Sequence, residues 1–191
     1  MTNVNNKLPQ RKRLRMEGYD YSSAGCYFVT IVTNDRQCLF GDVTDGTISL
    51  NDAGRTIDQA TRDIEGYDDN ITVPFHVVMP NHVHIMIMQT GNNAIPEIIR
   101  RYKSDTCCRY IEGVKTRGWQ RFDGNLWQKS YFDHIIRNQR AHDYIAQYIM
   151  DNPKRWNKDN INPHHDNDID EIMRHVTSRG MTTTSRCHSM S

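Results

Sequence analysis

Two histidines separated by a single valine are the residues of this chain best suited to chemistry. His82, Val83 and His84 follow a Met-Pro-Asn turn and precede the apolar run from Ile85 to Met88. Side chains alternate between the two faces of a β-strand, so both imidazoles point to one face and Val83 to the other. Two imidazoles on one face supply half of a divalent-metal site. The pair therefore predicts a metal site beside a tight turn, where we expect the strand edge to be open to solvent.

A second set of polar residues lies near the end of a predicted helix. Tyr148 and Asn152 are four residues apart, so they share one helix face. A tyrosine hydroxyl has a pKa of about 10, so a nucleophilic tyrosine needs activation, which a divalent cation at the attacked phosphate can supply. The amide oxygen of Asn152 could complete that metal site. The bland alternative is that Tyr148 belongs to the buried stripe of Tyr144, Ile145 and Ile149.

The elements that must position these residues follow from the pattern of apolar and turn-forming residues. Strands are predicted at 26–33, 71–79, 82–88 and 126–131, with a short hairpin around Asp45-Gly46. Helices are predicted from Asn51 or Asp52 to about 64, from 92–96 to about 115, and from 139 to 152. The order predicts an α+β fold: a ferredoxin-like antiparallel sheet with helices on one face, plus a C-terminal helix that carries the tyrosine.

Composition divides the chain into three parts. Residues 1–24 form a basic arm, residues 25–156 a single domain, and residues 157–191 an acidic and then polar tail in which we expect little order. No apolar run reaches the roughly 18 residues that a membrane span needs. The five cysteines lack the spacing of a zinc site. We therefore expect a cytoplasmic protein without a membrane partner.

The net charge of +1 conceals an uneven distribution. Residues 159–171 hold five acids and no lysine or arginine, so the rest of the chain carries +6. The basic residues cluster at Arg11, Lys12, Arg13 and Arg15, at Arg100, Arg101 and Lys103, and at Lys115, Arg117 and Arg121. Such clusters permit nucleic-acid binding without showing it, because solvated basic faces are common.

An ordered set of stretches resembles the single-tyrosine HUH transposases, and among them the REP-associated tyrosine transposases. The matching stretches are 11–15, 18–21, 27–30, 78–84, 127–137 and 148–156. A lone His-x-His is weak support for a family, whereas this ordered set is specific. The resemblance implies that His82, His84 and Asn152 bind Mg²⁺ or Mn²⁺. Mobile insertion-sequence relatives typically have glutamine at the third position, and asparagine agrees with the REP-associated branch.

The resemblance also implies a reaction and a partner. Tyr148 matches the nucleophile that attacks a phosphodiester of single-stranded DNA near a hairpin, leaving a 5′-phosphotyrosine and a free 3′-OH. The hairpin would be a repetitive palindrome or the end of a mobile element, and the protein would act as a monomer or a homodimer. The residues expected to contact DNA are Arg11, Lys12, Arg13 and Arg15, followed by Arg100, Arg101 and Lys103.

Three alternatives remain open from the sequence. Histidine-triad nucleotide hydrolases carry a third histidine where this chain has Met86, which argues against that class. A DNA-hairpin-binding protein without cleavage activity would keep the fold and lose the reaction. A purely structural α+β domain is the third alternative. Within the transposase interpretation, Tyr144 is the rival of Tyr148 as nucleophile.

Overall fold

The computed structural model describes residues 24–91, 93–159, 161–163 and 186–189. The strands in these ranges are β1 (Gly25–Val32), β2 (Gly41–Thr44), β3 (Thr47–Leu50), β4 (Ile71–Met79), β5 (His82–Gln89), β6 (Ser130–Ile136) and β7 (Arg186–Ser189). The helices are α1 (Asp52–Arg62), α2 (Ile95–Arg117) and α3 (Gln139–Arg155). Five strands form an antiparallel sheet in the order β4-β5-β1-β6-β7, and β2 and β3 form a separate hairpin.

The central strands of the sheet bury side chains on both faces. Val29, Val83 and Ile85 point to the face that α1 and α2 cover. Phe28 and Met86 point to the opposite face, which α3 covers. The predicted α+β class is confirmed: two helices share one face, and the C-terminal helix lies on the other. The predicted inward direction of Val83 is confirmed as well.

Asparagine caps fix where two of the helices begin. The side chain of Asn51 accepts a hydrogen bond from the backbone N–H of Gly54 at 2.8 Å, as predicted for α1. Asn138 accepts one from the N–H of Ala141 at 2.9 Å and starts α3. Gly54 also permits a close approach, because a Cβ there would lie 2.0 Å from the carbonyl oxygen of Phe40. The first turn of α1 therefore sits directly against the chain that leads into β2.

The strand predicted at 126–131 is displaced along the chain. The structure places the strand at Ser130–Ile136, where it pairs with β1. Trp127 makes only an isolated bridge with Thr33, and its indole N–H donates to the hydroxyl of Thr106 at 2.9 Å. The apolar run at 126–127 thus anchors a loop against α2, and apolar composition alone does not distinguish the two uses.

The C-terminal helix is longer than predicted. The sequence suggests an end at residues 152–153, but α3 continues through Pro153 to Arg155. A proline in the last turn removes only the bond from its own nitrogen to the carbonyl of residue 149, so the helix can tolerate it. The extension keeps Asn152 inside the helix, on a rigid element.

The chain after α3 also differs from the expectation of little order. Residues 156–158 form a 3-10 turn, and Asp159, Ile161 and Asn162 are buried. Trp156 and Ile161 are buried, the Trp156 ring stacks on His82, and Asn81 donates to the Ile161 carbonyl, so this stretch is held against the sheet. We refer to residues 156–159 and 161–163 as the covering segment.

Four residues of the predicted tail, Arg186–Ser189, also differ from the expectation of little order, because they form β7 and pair with β6. The basic arm, apart from residue 24, lies outside the described residues, as do residues 164–185 of the tail. None of the described helices combines the length and the apolar composition needed to cross a bilayer.

Candidate active site

The two histidines meet beneath α3 with their Nε2 atoms 3.1 Å apart. Their side chains are 0% and 2% exposed, so the expected open strand edge is wrong. The reason is that β5 is an internal strand between β4 and β1, and α3 covers this face. Burial lowers the pKa of His82 to about 3, and burial together with the neighbouring His82 lowers the pKa of His84 well below its usual value. Both rings are therefore neutral at pH 7, the form that binds metals.

The hydrogen bonds of Asn81 fix the tautomer of His82. The Asn81 Nδ2 donates to the carbonyl oxygens of Arg36 at 3.0 Å and Ile161 at 2.8 Å. Its Oδ1 consequently faces His82 Nδ1 at 2.9 Å and can only accept. The proton of His82 is thus on Nδ1, and Nε2 presents a lone pair toward His84.

The hydroxyl of Thr30 supports His84 from the neighbouring strand. Thr30 lies opposite His84 in the β1–β5 register, and its Oγ1 is 2.8 Å from His84 Nδ1. A hydroxyl can donate or accept, so His84 can carry its proton on either nitrogen. With a proton on Nε2, His84 donates to His82. With the proton on Nδ1, the Nε2 lone pairs of both histidines face each other, an arrangement that a cation between them would stabilise.

The separation of the two Nε2 atoms suits a shared ion. Two neighbouring ligands of an octahedral ion with bonds of about 2.1 Å lie about 3 Å apart. The observed 3.1 Å between His82 and His84 matches that spacing.

Helix α3 brings Tyr148 and Asn152 to the histidines. The Tyr148 hydroxyl is 3.5 Å from His84 Nε2, and its ring packs edge-on against Phe28 and His84. Asn152 is 1% exposed. Its side chain faces His82 and raises the pKa of that ring against the larger effect of burial. That contact lacks hydrogen-bond geometry, so among the described residues neither amide atom has a hydrogen-bond partner. A buried amide without hydrogen-bond partners is typical of a group that binds a ligand.

The covering segment contributes a carboxylate that the sequence analysis missed. Asp159 is 4% exposed, and its Oδ2 is 3.6 Å from His82 Nε2. The ring of Trp156 stacks on His82 with 6.1 Å between the centroids. Burial raises the pKa of Asp159 above its usual value. In the sequence, Asp159 is only the first acid of an acidic stretch, and the apolar residues around it are the sole signal of its burial.

Of the residues predicted to contact DNA, the three that the structure describes lie on α2, away from this site. Arg11, Lys12, Arg13 and Arg15 lie outside the described residues. Helix α2 carries the second group on the sheet face opposite to α3, with Arg100 paired to Glu97 and Arg101 over the ring of Tyr67 at 4.0 Å. Lys103 donates to the carbonyls of Gln128 and Ser130 at 2.8 and 3.1 Å, so its ammonium holds a loop.

A basic residue that the sequence analysis did not single out lies closer to the site. The guanidinium of Arg155 is 5.8 Å from the centre of the Tyr148 ring. The side chain of Arg155 is exposed. It follows Tyr148 by seven residues on α3, a spacing that places two residues on one helix face.

Comparison with known proteins defines the class to which this fold and site belong, the transposases. Residues 26–152 match the model of the IS200-like transposases, and the chain belongs to that family. The resemblance predicted from the sequence is therefore confirmed. An uncharacterized protein of Haemophilus influenzae is 29% identical over 185 residues, covering 84% of this chain and 97% of its own length. The ISDra2 transposase TnpA of Deinococcus radiodurans is 28% identical over 124 residues, covering 64% and 79%.

Two solved structures resemble the chain at 20% identity. One is a REP-associated tyrosine transposase bound to a REP hairpin, with a TM-score of 0.50 and coverage of 70% of this chain and 68% of that one. The other is a putative transposase from Deinococcus radiodurans, with a TM-score of 0.46 and coverage of 80% and 100%. The first likeness confirms the predicted fold.

Proposed function

We propose that this transposase is a single-strand DNA endonuclease and strand transferase of the REP-associated type, with Tyr148 as its nucleophile. The observation that carries the proposal is the position of His84 Nε2, which lies 3.1 Å from His82 Nε2 and 3.5 Å from the hydroxyl of Tyr148, a residue 64 positions further along the chain. A tyrosine that served only the apolar core would not need its hydroxyl beside the neutral imidazole of His84.

The proposed reaction needs no external source of energy. The Tyr148 oxygen attacks a DNA phosphorus atom, the phenol loses its proton, and the bond between phosphorus and O3′ breaks. The 3′ oxygen takes up a proton, so the products are a 5′-phosphotyrosine and a free 3′-OH. Because one phosphodiester is exchanged for another, attack by a second 3′-OH can reverse the step and join strands.

His82, His84 and Asn152 would hold Mg²⁺ or Mn²⁺. The fit rests on the two neutral rings with Nε2 atoms 3.1 Å apart and on the unpartnered amide of Asn152. When bound, the ion would polarise the attacked phosphate and offset the charge that develops on it. The chain supplies the orientation: Asn81 and Thr30 hold the two rings, and α3 holds the tyrosine and the amide.

The proposed substrate is single-stranded DNA that carries a hairpin, which agrees with the REP hairpin bound to the structurally similar REP-associated tyrosine transposase. The exposed cation of Arg155 beside the Tyr148 ring would meet the DNA backbone near the attacked phosphate. The basic arm and Arg100 and Arg101 of α2 would contact more distant phosphates.

The test is a covalent-adduct assay with purified protein, Mn²⁺ and a hairpin-bearing single-stranded oligonucleotide. We expect a protein–DNA adduct that Tyr148→Phe abolishes while hairpin binding survives. Tyr144→Phe is the matched control, one helical turn away on the same element, and it should retain the adduct. An adduct that persists in Tyr148→Phe and disappears in Tyr144→Phe would overturn the assignment of the nucleophile.

The same assay separates the alternatives. Hairpin binding without cleavage by the wild-type protein would identify a non-catalytic binder. Nucleotide hydrolysis without DNA cleavage would favour the histidine-triad class. Undiminished Mn²⁺-dependent cleavage by His82→Ala would show that the histidine pair is not the metal site.

A further inference from the structure

A buried carboxylate outside the predicted ligand set is directed at the histidine pair. We infer that Asp159 is a further ligand of the divalent cation held by His82 and His84. The inference rests on the proposed function, since it takes this site to be the metal site. It adds the covering segment to the elements that build the site.

The distances allow one ion to contact all three side chains. The Oδ2 of Asp159 is 3.6 Å from His82 Nε2, which is too long for a hydrogen bond. The ligand atoms of Asp159, His82 and His84 all lie within 4.8 Å of one another. Ligands with bonds of about 2.1 Å lie about 3 Å apart when neighbouring and about 4.2 Å apart when opposite. The three ligand atoms therefore lie nearly as close together as the ligands of a single ion, without any movement of the side chains.

Hydrogen bonds within the covering segment orient the Asp159 carboxylate. The N–H of Ile161 donates to Asp159 Oδ1 at 2.9 Å, and the N–H of Asn162 donates to the Asp159 carbonyl at 3.0 Å. The second carboxylate oxygen, Oδ2, is buried and has no hydrogen-bond partner among the described residues. The Arg36 cation interacts with this carboxylate, but the buried Oδ2 faces the imidazoles, where a bound metal ion would compensate its burial directly.

One residue orients both the histidine and the segment that carries the carboxylate. Asn81 accepts from the ring of His82 through Oδ1 and donates to the carbonyl of Ile161 through Nδ2. A shared partner of this kind is typical of the outer shell of a metal site, where the ligands are held by further hydrogen bonds. It couples the position of Asp159 to that of His82.

Asp159 would also supply negative charge to the bound ion. Two neutral imidazoles and an amide leave a buried dication uncompensated, whereas Asp159 supplies one negative charge. Its hard oxygen also favours Mg²⁺ and Mn²⁺ over softer metals. Four protein ligands would leave two positions of an octahedral ion for phosphate oxygens or water.

The test is Mn²⁺ binding by calorimetry to the full chain, without DNA. Asp159→Asn should weaken Mn²⁺ binding at least 10-fold, within the range that ligand-shell changes produce. Asp143→Asn is the matched control, an exposed acid on α3, and should stay within about twofold of the wild type. An Mn²⁺ affinity of Asp159→Asn within about twofold of the wild type would overturn the inference.

A second variant separates this inference from the proposed function. His82→Ala should abolish Mn²⁺ binding. If His82→Ala loses the metal and Asp159→Asn keeps it, only the role of Asp159 is wrong. If His82→Ala binds Mn²⁺ as the wild type does, the metal site of the proposed function is wrong.

A measurement on the wild-type protein covers the case in which Asp159→Asn does not fold. Saturating Mg²⁺ should slow amide hydrogen exchange in the peptide spanning residues 156–163, because the ion ties this segment to the sheet. Exchange in that peptide that is unchanged by Mg²⁺ binding would contradict the inference.

Discussion

Replacement of Asn81 by alanine should weaken both the fold and the metal site. The side chain is fully buried and makes three hydrogen bonds. It donates to the carbonyls of Arg36 and Ile161 and accepts from the Nδ1 of His82. Asn81→Ala removes all three contacts at once and leaves two carbonyls and one ring N–H without partners.

The magnitude follows from the number and burial of these bonds. A buried hydrogen bond contributes about 1 kcal/mol, so the free energy of unfolding should fall by about 3 kcal/mol. In a domain of this size that corresponds to a Tm lower by roughly 6–12 °C. The His82 ring also loses the partner that keeps the proton on Nδ1, so Mn²⁺ affinity should fall by roughly 10- to 100-fold.

The assay combines thermal unfolding with Mn²⁺ calorimetry below the Tm of the variant. Asn51→Ala is the matched control, because the Asn51 side chain also makes hydrogen bonds, partly buried, to the Gly54 N–H and the Leu39 carbonyl, but caps α1 on the other sheet face. It should lower the Tm and leave Mn²⁺ affinity unchanged. If folded Asn81→Ala bound Mn²⁺ as tightly as the Asn51→Ala control, the argument that Asn81 orients His82 would be refuted.

Three further predictions concern single positions. Thr30→Val should weaken Mn²⁺ binding by roughly 10-fold while Thr30→Ser keeps it, because only serine retains the hydroxyl that contacts His84; calorimetry on both variants checks this. Lys103→Met should lower the free energy of unfolding, measured in urea, by about 1–3 kcal/mol, because the Lys103 ammonium donates to backbone carbonyls. The variant should keep its hairpin affinity; a loss of hairpin binding with unchanged stability would show that Lys103 contacts DNA. Gly54→Ala should lower the free energy of unfolding by more than about 2 kcal/mol, because the new Cβ would clash with the Phe40 carbonyl. Gly66→Ala, where a Cβ would have no neighbour within 4 Å, should change it little, and urea unfolding compares the two variants.

The direction of the histidines could be predicted from the sequence, and their burial could not. Alternation along β5 places His82 and His84 on one face and Val83 on the other, whatever lies next to the strand. Burial depends on which strands flank β5. The pairing of Thr30 with His84 joins residues 54 positions apart, and no local pattern encodes it. The expectation of an open strand edge failed for this reason.

The shared face of Tyr148 and Asn152 could also be predicted from the sequence, because it depends only on local periodicity. Tyr148 and Asn152 share a face because of the period of the helix, and the family resemblance supplied the link to the histidines. The end of α3 was misplaced because Pro153 is compatible with a last helical turn. Asp159 was missed because burial after the helix depends on how Trp156 and Ile161 pack, whereas a count of charges registers only an acidic stretch.

The burial of the site imposes a condition on the proposed reaction. The side chains of His82, His84 and Tyr148 are 0%, 2% and 7% exposed, and a DNA phosphate must reach the tyrosine hydroxyl. Part of the cover must therefore move when DNA binds. The covering segment stacks Trp156 on His82, so it is the element whose displacement would expose the metal-binding nitrogens. With Asp159 as a ligand, the same contact that strengthens metal binding holds this cover in place. Metal affinity and DNA access would then oppose each other, and Asp159→Asn should weaken Mn²⁺ binding while making the site easier for DNA to open.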